Sequence, residues 1–220
     1  MIIAEETFII SDTHFGDYDS VANGFDKYLV NNWNKTVSEN DTALHLGDFT
    51  SDDSLKALEG KIRKYGKLLN GRILLIRGNH DTAPTEVYDT AGIGIIDEFK
   101  NPWYSAVSGT VKDMKILFSH YPIKDLYPIL NHRNYCVQDY GYNYCPDDNP
   151  FKFPIEQLEA IFVKNKFDIN IHGHIHNKIK LFDNLINVSP DNIGYAPVKL
   201  GELLSSKTHH DKNKTGFLTS

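Results

Sequence analysis

The sequence contains no apolar run approaching the ~20 residues that a membrane-spanning helix requires. Its opening, MIIAEETFII, carries acidic residues where a secretory leader needs basic ones, so a cytoplasmic, intracellular setting is expected. Cysteine is nearly missing: only Cys136 and Cys145 occur, and the lack of a C-x-x-C pair excludes a zinc knuckle or a redox motif. Two reduced thiols are expected in a reducing compartment, with a disulfide closing the eight intervening residues as the alternative. Basic residues are in deficit, 23 Lys plus Arg against 29 Asp plus Glu, and the formal charge of -6 argues against a surface built mainly to bind nucleic acid. Bound cations would nonetheless override that field inside a site. No internal repeat or heptad suggests a partner chain.

What is present fits one globular domain: 220 residues, 40% hydrophobic and 24% charged. Short apolar runs recur, each ending in polar residues, at Phe8 to Ile10, Ala43 to Leu46, Ile73 to Ile76, Ile116 to Phe118 and Ile169 to Ile171. These read as buried strands. Helical character lies between them at Val21 to Val37, Ser54 to Lys64 and Ile155 to Lys164, giving an α/β layout. In such layouts ligands gather beyond the carboxyl ends of the strands. The domain is expected over 1–204, with a polar tail at 205–220. The stretch 121–154 is too long for a plain connection, holds seven Tyr or Phe beyond its opening Tyr-Pro, and reads as a lid or substrate loop. Its Tyr135, Tyr140, Tyr142 and Tyr144 either stack on a nucleobase or pack the loop onto the domain.

Five strand ends carry the chemistry. Asp12-Thr13-His14 points two ligating side chains to one side of an extended chain, though taken alone a helix-cap Asp and a surface His is the better reading. Gly47-Asp48 alone is a turn. Gly78-Asn79-His80-Asp81 follows an all-apolar strand and offers an amide oxygen beside an imidazole, or else a polar turn before a helix. Ser119-His120 and Gly173-His174-Ile175-His176 complete the series, and two imidazoles at the H-x-H spacing favour a divalent metal. His45 and His172 sit inside the apolar runs and are expected to be packed. Each bland reading needs its own coincidence, whereas one binuclear centre accounts for all five motifs.

In this order the motifs D-x-H, G-D, G-N-H-D, a lone H and G-H-x-H resemble those of the calcineurin-like metallophosphoesterase family, across most of the chain. The resemblance implies a four-layer α-β-β-α sandwich with a binuclear site at the strand ends. It further implies that Asp12, His14 and His176 hold one metal, that Asn79, His120 and His174 hold the other, and that Asp48 bridges them. Two divalent cations outweigh two carboxylates, so an acidic chain would still attract a phosphate ester. Manganese is the first expectation, although the ligand types suit iron, zinc and nickel as well. Cations about 3.5 to 4 Å apart lower the pKa of a bridging water and hold it in line with phosphorus. In the family the position of His80 lies over the leaving group, which makes it the expected general acid, and Asn79 is expected to touch the phosphate. Asp81 either orients His80 or caps a helix, capping being the expectation.

Protein phosphatases of the superfamily continue the second motif with an Arg that grips phosphate, whereas this chain reads Gly47-Asp48-Phe49-Thr50-Ser51-Asp52-Asp53. The chain thus resembles the small bacterial and phage-type phosphodiesterase branch. A nucleotide or other small phosphodiester is the expected substrate, with a nuclease, a phosphomonoesterase and a non-catalytic scaffold as alternatives. Lys56, Lys61, Arg63, Lys64 and Lys67 read as a solvated helix face.

Overall fold

The computed structural model describes residues 3–51, 54–126, 149–176 and 182–205, with the side chains of 19 and 20 left aside. Cys136, Cys145, the four insert tyrosines and the tail from 206 lie outside the described residues.

Two sheets carry the fold. The first has strand order β4-β3-β2-β1-β9, built from β1 (Phe8–Ile10), β2 (Thr42–His45), β3 (Arg72–Leu75), β4 (Ile93–Ile95) and β9 (Val198–Lys199). The second has order β5-β6-β7-β8, from β5 (Ala106–Val111), β6 (Met114–Ser119), β7 (Ile169–His172) and β8 (Leu185–Asn187). β1 to β4 pair in parallel, as do β6 to β8, while β9 and β5 are antiparallel edges. Parallel strands buried on both faces read as unbroken apolar runs, which is why β1, β2, β3, β6 and β7 stand out in the sequence.

The alternation of side chains sorts residues into layers. Phe8, Ile10, Ala43, Ile73 and Leu75 face helices α2 (Phe25–Thr36), α3 (Leu55–Leu68) and α4 (Thr85–Thr90), where Leu29, Trp33, Leu58, Ile62 and Tyr88 meet them. Ile9, Leu44 and Leu74 face the other way and pack against Ile116, Phe118, Ile169 and Ile171 between the sheets. Leu117 and Leu185, on the outer side of the second sheet, pack on Ile155, Leu158 and Phe162 of α5 (Lys152–Asn165). The result is a four-layer α-β-β-α sandwich. No helix of the described residues is long and apolar enough to cross a membrane.

Two helix expectations and one surface expectation need correction. The run from Val21 to Val37 is two helices, because Gly24 turns left-handed (φ 71°) between α1 (Tyr18–Ala22) and α2, a conformation that glycine adopts without strain. α5 starts at Lys152, ahead of the expected Ile155. On α3, Lys56, Arg63, Lys64 and Lys67 are exposed as expected, but Lys61 is not simply solvated: its stem packs against Gly16 and its Nζ donates to the Ser51 carbonyl at 2.7 Å.

Candidate metal centre

Every expected site residue follows a strand. Asp12 and His14 follow β1, Asp48 follows β2, and Asn79 and His80 follow β3, all in the first sheet. His120 follows β6, and His174 and His176 follow β7, in the second. The sandwich sets these two rows of strand ends side by side. Asp12 (φ 51°), His14 (φ 42°), Asp48 (φ 55°) and His174 (φ 66°) all take left-handed backbone conformations, which cost non-glycine residues of order 1 kcal/mol or more each. Backbone bonds hold them there: Asp12 N–H donates to the Gly47 carbonyl at 2.9 Å and His14 N–H to the Asp48 carbonyl at 3.0 Å. The carboxylate of Asp12 accepts from His174 N–H at 2.9 Å, and that of Asp48 accepts from His80 N–H at 2.9 Å.

The side chains form two neighbouring clusters. In the first, Asp12, His14 and His176 bring potential ligand atoms within 4.8 Å of one another; in the second, Asp48, His120 and His174 do the same. Asp48, a member of the second, stands between the two, since its Oδ2 lies 3.7 Å from His14 Nε2 and 3.4 Å from His120 Nε2. Asn79 Oδ1 stands 3.0 Å from His120 Nε2. His80 is exposed, with its ring 5.2 Å from that of His14, and it forms a further group with His14 and Asp48.

The donor chemistry fits cations. His120 Nδ1 is 2.9 Å from the Leu46 carbonyl, which can only accept, so in the neutral ring the proton sits on Nδ1 and Nε2 presents a lone pair. That lone pair faces the acceptor oxygens of Asn79 and Asp48 and lies 3.2 Å from His174 Nδ1. His14 Nε2 and His176 Nε2 likewise approach to 3.3 Å beside the Asp12 and Asp48 carboxylates. Lone pairs converge this way around positive charge. Without metal a proton fills part of that role: burial alone would drive His120 down, but the Asp48 carboxylate lifts it to about 9. Burial likewise opposes the rise at His176, which the hydrogen bond to Asp12 produces. Burial would raise both carboxyls, yet His176 and His120 hold Asp12, and His120 and His14 hold Asp48, well below the usual range. Burial pushes His174 down to about 3, with the charge of His120 adding to it.

His45 and His172 are buried and stay outside these clusters, as their apolar surroundings suggested. Burial pushes them down to about 3 and about 4. His45 Nε2 bonds Thr13 Oγ1 at 3.0 Å, and Thr13 donates to the Phe49 carbonyl at 2.9 Å, tying the β1 and β2 ends together. The capping expectation for Asp81 fails. α4 begins at Thr85 behind Pro84 without a side-chain cap, and the buried Asp81 carboxylate accepts instead from the N–H groups of Asp48 (2.7 Å), Gly78 (2.9 Å) and Phe49 (3.1 Å). It laces the β2 and β3 ends together. Burial and the nearby Asp48 charge push it up to about 6.

A sequence model of the calcineurin-like phosphoesterases matches residues 7–178, a span that holds every residue of both clusters. The chain belongs to the calcineurin-like phosphoesterase family. A protein of unknown function from Aquifex aeolicus has a similar structure, with a TM-score of 0.62 and 28% identity over 91% of this chain and 98% of that one. An uncharacterized protein of Methanocaldococcus jannaschii is 36% identical over 83 residues, 34% of this chain and 46% of its own, so the match spans less than half of that relative. An archaeal phosphodiesterase aligns with a TM-score of 0.39 and 19% identity over 84% of this chain and 82% of that one.

Calcineurin-like phosphoesterases typically hold divalent metals, and this member presents matching His and Asp clusters. Sequence reasoning missed the aromatic wall beside the second cluster. Tyr121 stacks on Phe151 at 5.3 Å, and both rings stand edge-on to His174. The signal was the Tyr directly after His120; Phe151 gave none, being far away in sequence.

Proposed function

We propose that this calcineurin-like phosphoesterase is a metal-dependent phosphodiesterase acting on a nucleotide or another small phosphodiester. The supporting observation is the position of Asp48, whose carboxylate belongs to one cluster with His120 and His174 and lies 3.7 Å from His14 of the other. In this reading Asp12, His14 and His176 hold one divalent cation, Asn79, His120 and His174 hold the second, and Asp48 is shared. When bound, such a pair supplies Lewis-acid polarisation of the phosphate and a nucleophile at neutral pH. The chain's own residues do the rest. In this reading Asn79 also touches the phosphate, and His80, exposed and held by its N–H on Asp48 Oδ1, delivers a proton to the departing oxygen. Tyr121 and Phe151 keep bulk water from the His174 side. A diester is favoured over a dianionic monoester because no Arg follows Gly47-Asp48, and Arg77 directs its guanidinium to the Asp81 and Ala83 carbonyls, both at 2.6 Å.

Stripping the protein of metal and restoring manganese, nickel, zinc or iron separately tests this reading. Turnover of bis(4-nitrophenyl) phosphate is expected with at least one metal and should exceed that of 4-nitrophenyl phosphate. Asp48→Asn should fall to background. Failure on both esters under every metal would sink the enzyme reading, and a preference for the monoester would overturn the diester assignment.

A further inference from the structure

A cleft of about 330 Å³ opens beside the second cluster, under the loop that joins β4 to β5. Its walls include Gly78, Asp97, Asn101, Trp103 and Tyr121. Two of these reach the site. Gly78 precedes Asn79 and lies so close to Asp48 that a Cβ there would run into the carboxylate. The Tyr121 ring stands edge-on to His120 at 5.1 Å and to His174 at 4.8 Å. A group joined by one ester bond to a phosphate at the clusters therefore has this cleft beside it.

Trp103 lines the cleft and yet is 63% exposed, whereas the other tryptophan, Trp33, is fully buried. Its position is braced: its backbone N–H donates to Asn101 Oδ1 at 2.9 Å, and its ring meets that of Phe153 edge-on at 5.8 Å. An exposed, braced indole at the mouth of a cleft beside a cation site has the geometry of a stacking platform. Opposite chemistry lies in the wall. The Asp97 carboxylate, fixed by the N–H groups of Phe99 (3.2 Å) and Ala106 (3.3 Å), is an acceptor suited to the N–H edge of a base, while the cation of the wall, Arg77, donates to the Asp81 and Ala83 carbonyls.

We propose that this cleft is a nucleobase subsite, in which Trp103 stacks on the base of a nucleoside phosphodiester whose phosphate sits at the metal clusters. The assignment rests on the phosphodiesterase reading above and narrows it to substrates carrying a nucleoside on the non-leaving side.

Two diesters with one leaving group test it: thymidine 5′-(4-nitrophenyl phosphate) and methyl 4-nitrophenyl phosphate, given to the metal-restored full chain. The wild type should prefer the thymidine ester in kcat/KM, and Trp103→Ala should lower that preference about tenfold, chiefly through KM, the scale on which base stacking acts. An unchanged preference overturns the subsite. Turnover of neither ester counts against the phosphodiesterase reading alone, and binding then decides the subsite. Thymidine 5′-monophosphate should quench tryptophan fluorescence of the zinc-restored protein, and Trp103→Phe, which leaves only Trp33, should abolish the quenching. Quenching that persists in Trp103→Phe, or none in the wild type, overturns the proposal.

Discussion

His80 is exposed, and its backbone N–H is fastened to Asp48. A group so placed acts on what leaves, so its removal should matter in proportion to the need for a proton. His80→Ala is expected to lower kcat about 10²- to 10⁴-fold on an alkyl diester and little on a 4-nitrophenyl ester, which a paired leaving-group series measures. His45 carries a different consequence. Burial holds its pKa near 3, against 6.5 for an ordinary His, so between those values the unfolded chain binds a proton that the folded one refuses. Stability then falls as pH drops from about 6.5 towards 3, by up to about 1.4 kcal/mol per pH unit for this one group. Urea unfolding of the metal-free protein between pH 7 and 4 should show that slope, and His45→Gln should make it shallower.

At the scale of elements, the site depends on how each strand ends. Gly47 closes β2 at φ 95°, and a Cβ there would lie 2.6 Å from both the Gly78 nitrogen and His120 Nδ1. Neither neighbour is a flexible side-chain end, so Gly47→Ala should cost about 1–3 kcal/mol in stability and weaken metal binding together. Calorimetric melting and metal titration of the same variant check both effects. The β3 end is held differently, by Asp81 reaching across to the N–H groups of Asp48 and Phe49. That role was illegible in the sequence because a carboxylate two residues past Asn79 looks the same whether it caps a helix or bridges two loops. The β5–β6 hairpin was hidden for a related reason: its turn uses Lys112 (φ 50°) and Asp113 (φ 62°), where Asn-Gly or Asp-Gly would have announced it.

At the scale of the molecule, the clusters draw on both sheets, with Asp12, His14, Asp48 and Asn79 from the first and His120, His174 and His176 from the second. Cations held there would fasten the sheets together at one end. Metal at about 100 times its dissociation constant adds roughly 2.7 kcal/mol to stability, and chelation should lower Tm by about 5–10 °C for a chain of this size. Asp48→Asn should show a smaller drop on chelation. Differential scanning calorimetry with and without chelator makes the comparison, and equal drops in both proteins would separate the bound metal from Asp48.

The candidate site residues and the central strands were legible because both are written locally. Metal chemistry restricts the residue types, and parallel strands covered on both faces must be apolar throughout. The edges were not: β9 is only Val198–Lys199 and exists by pairing with β1, nearly 190 residues away, while β4 and β8 are three residues each. Which motifs touch was likewise a tertiary outcome. His174 N–H bonds the carboxylate of Asp12 across 162 residues because the sheets pack face to face through Ile9, Leu44, Phe118 and Ile171. Trp103 and Tyr121 line one cleft in the folded chain, a meeting that no spacing along the chain encodes.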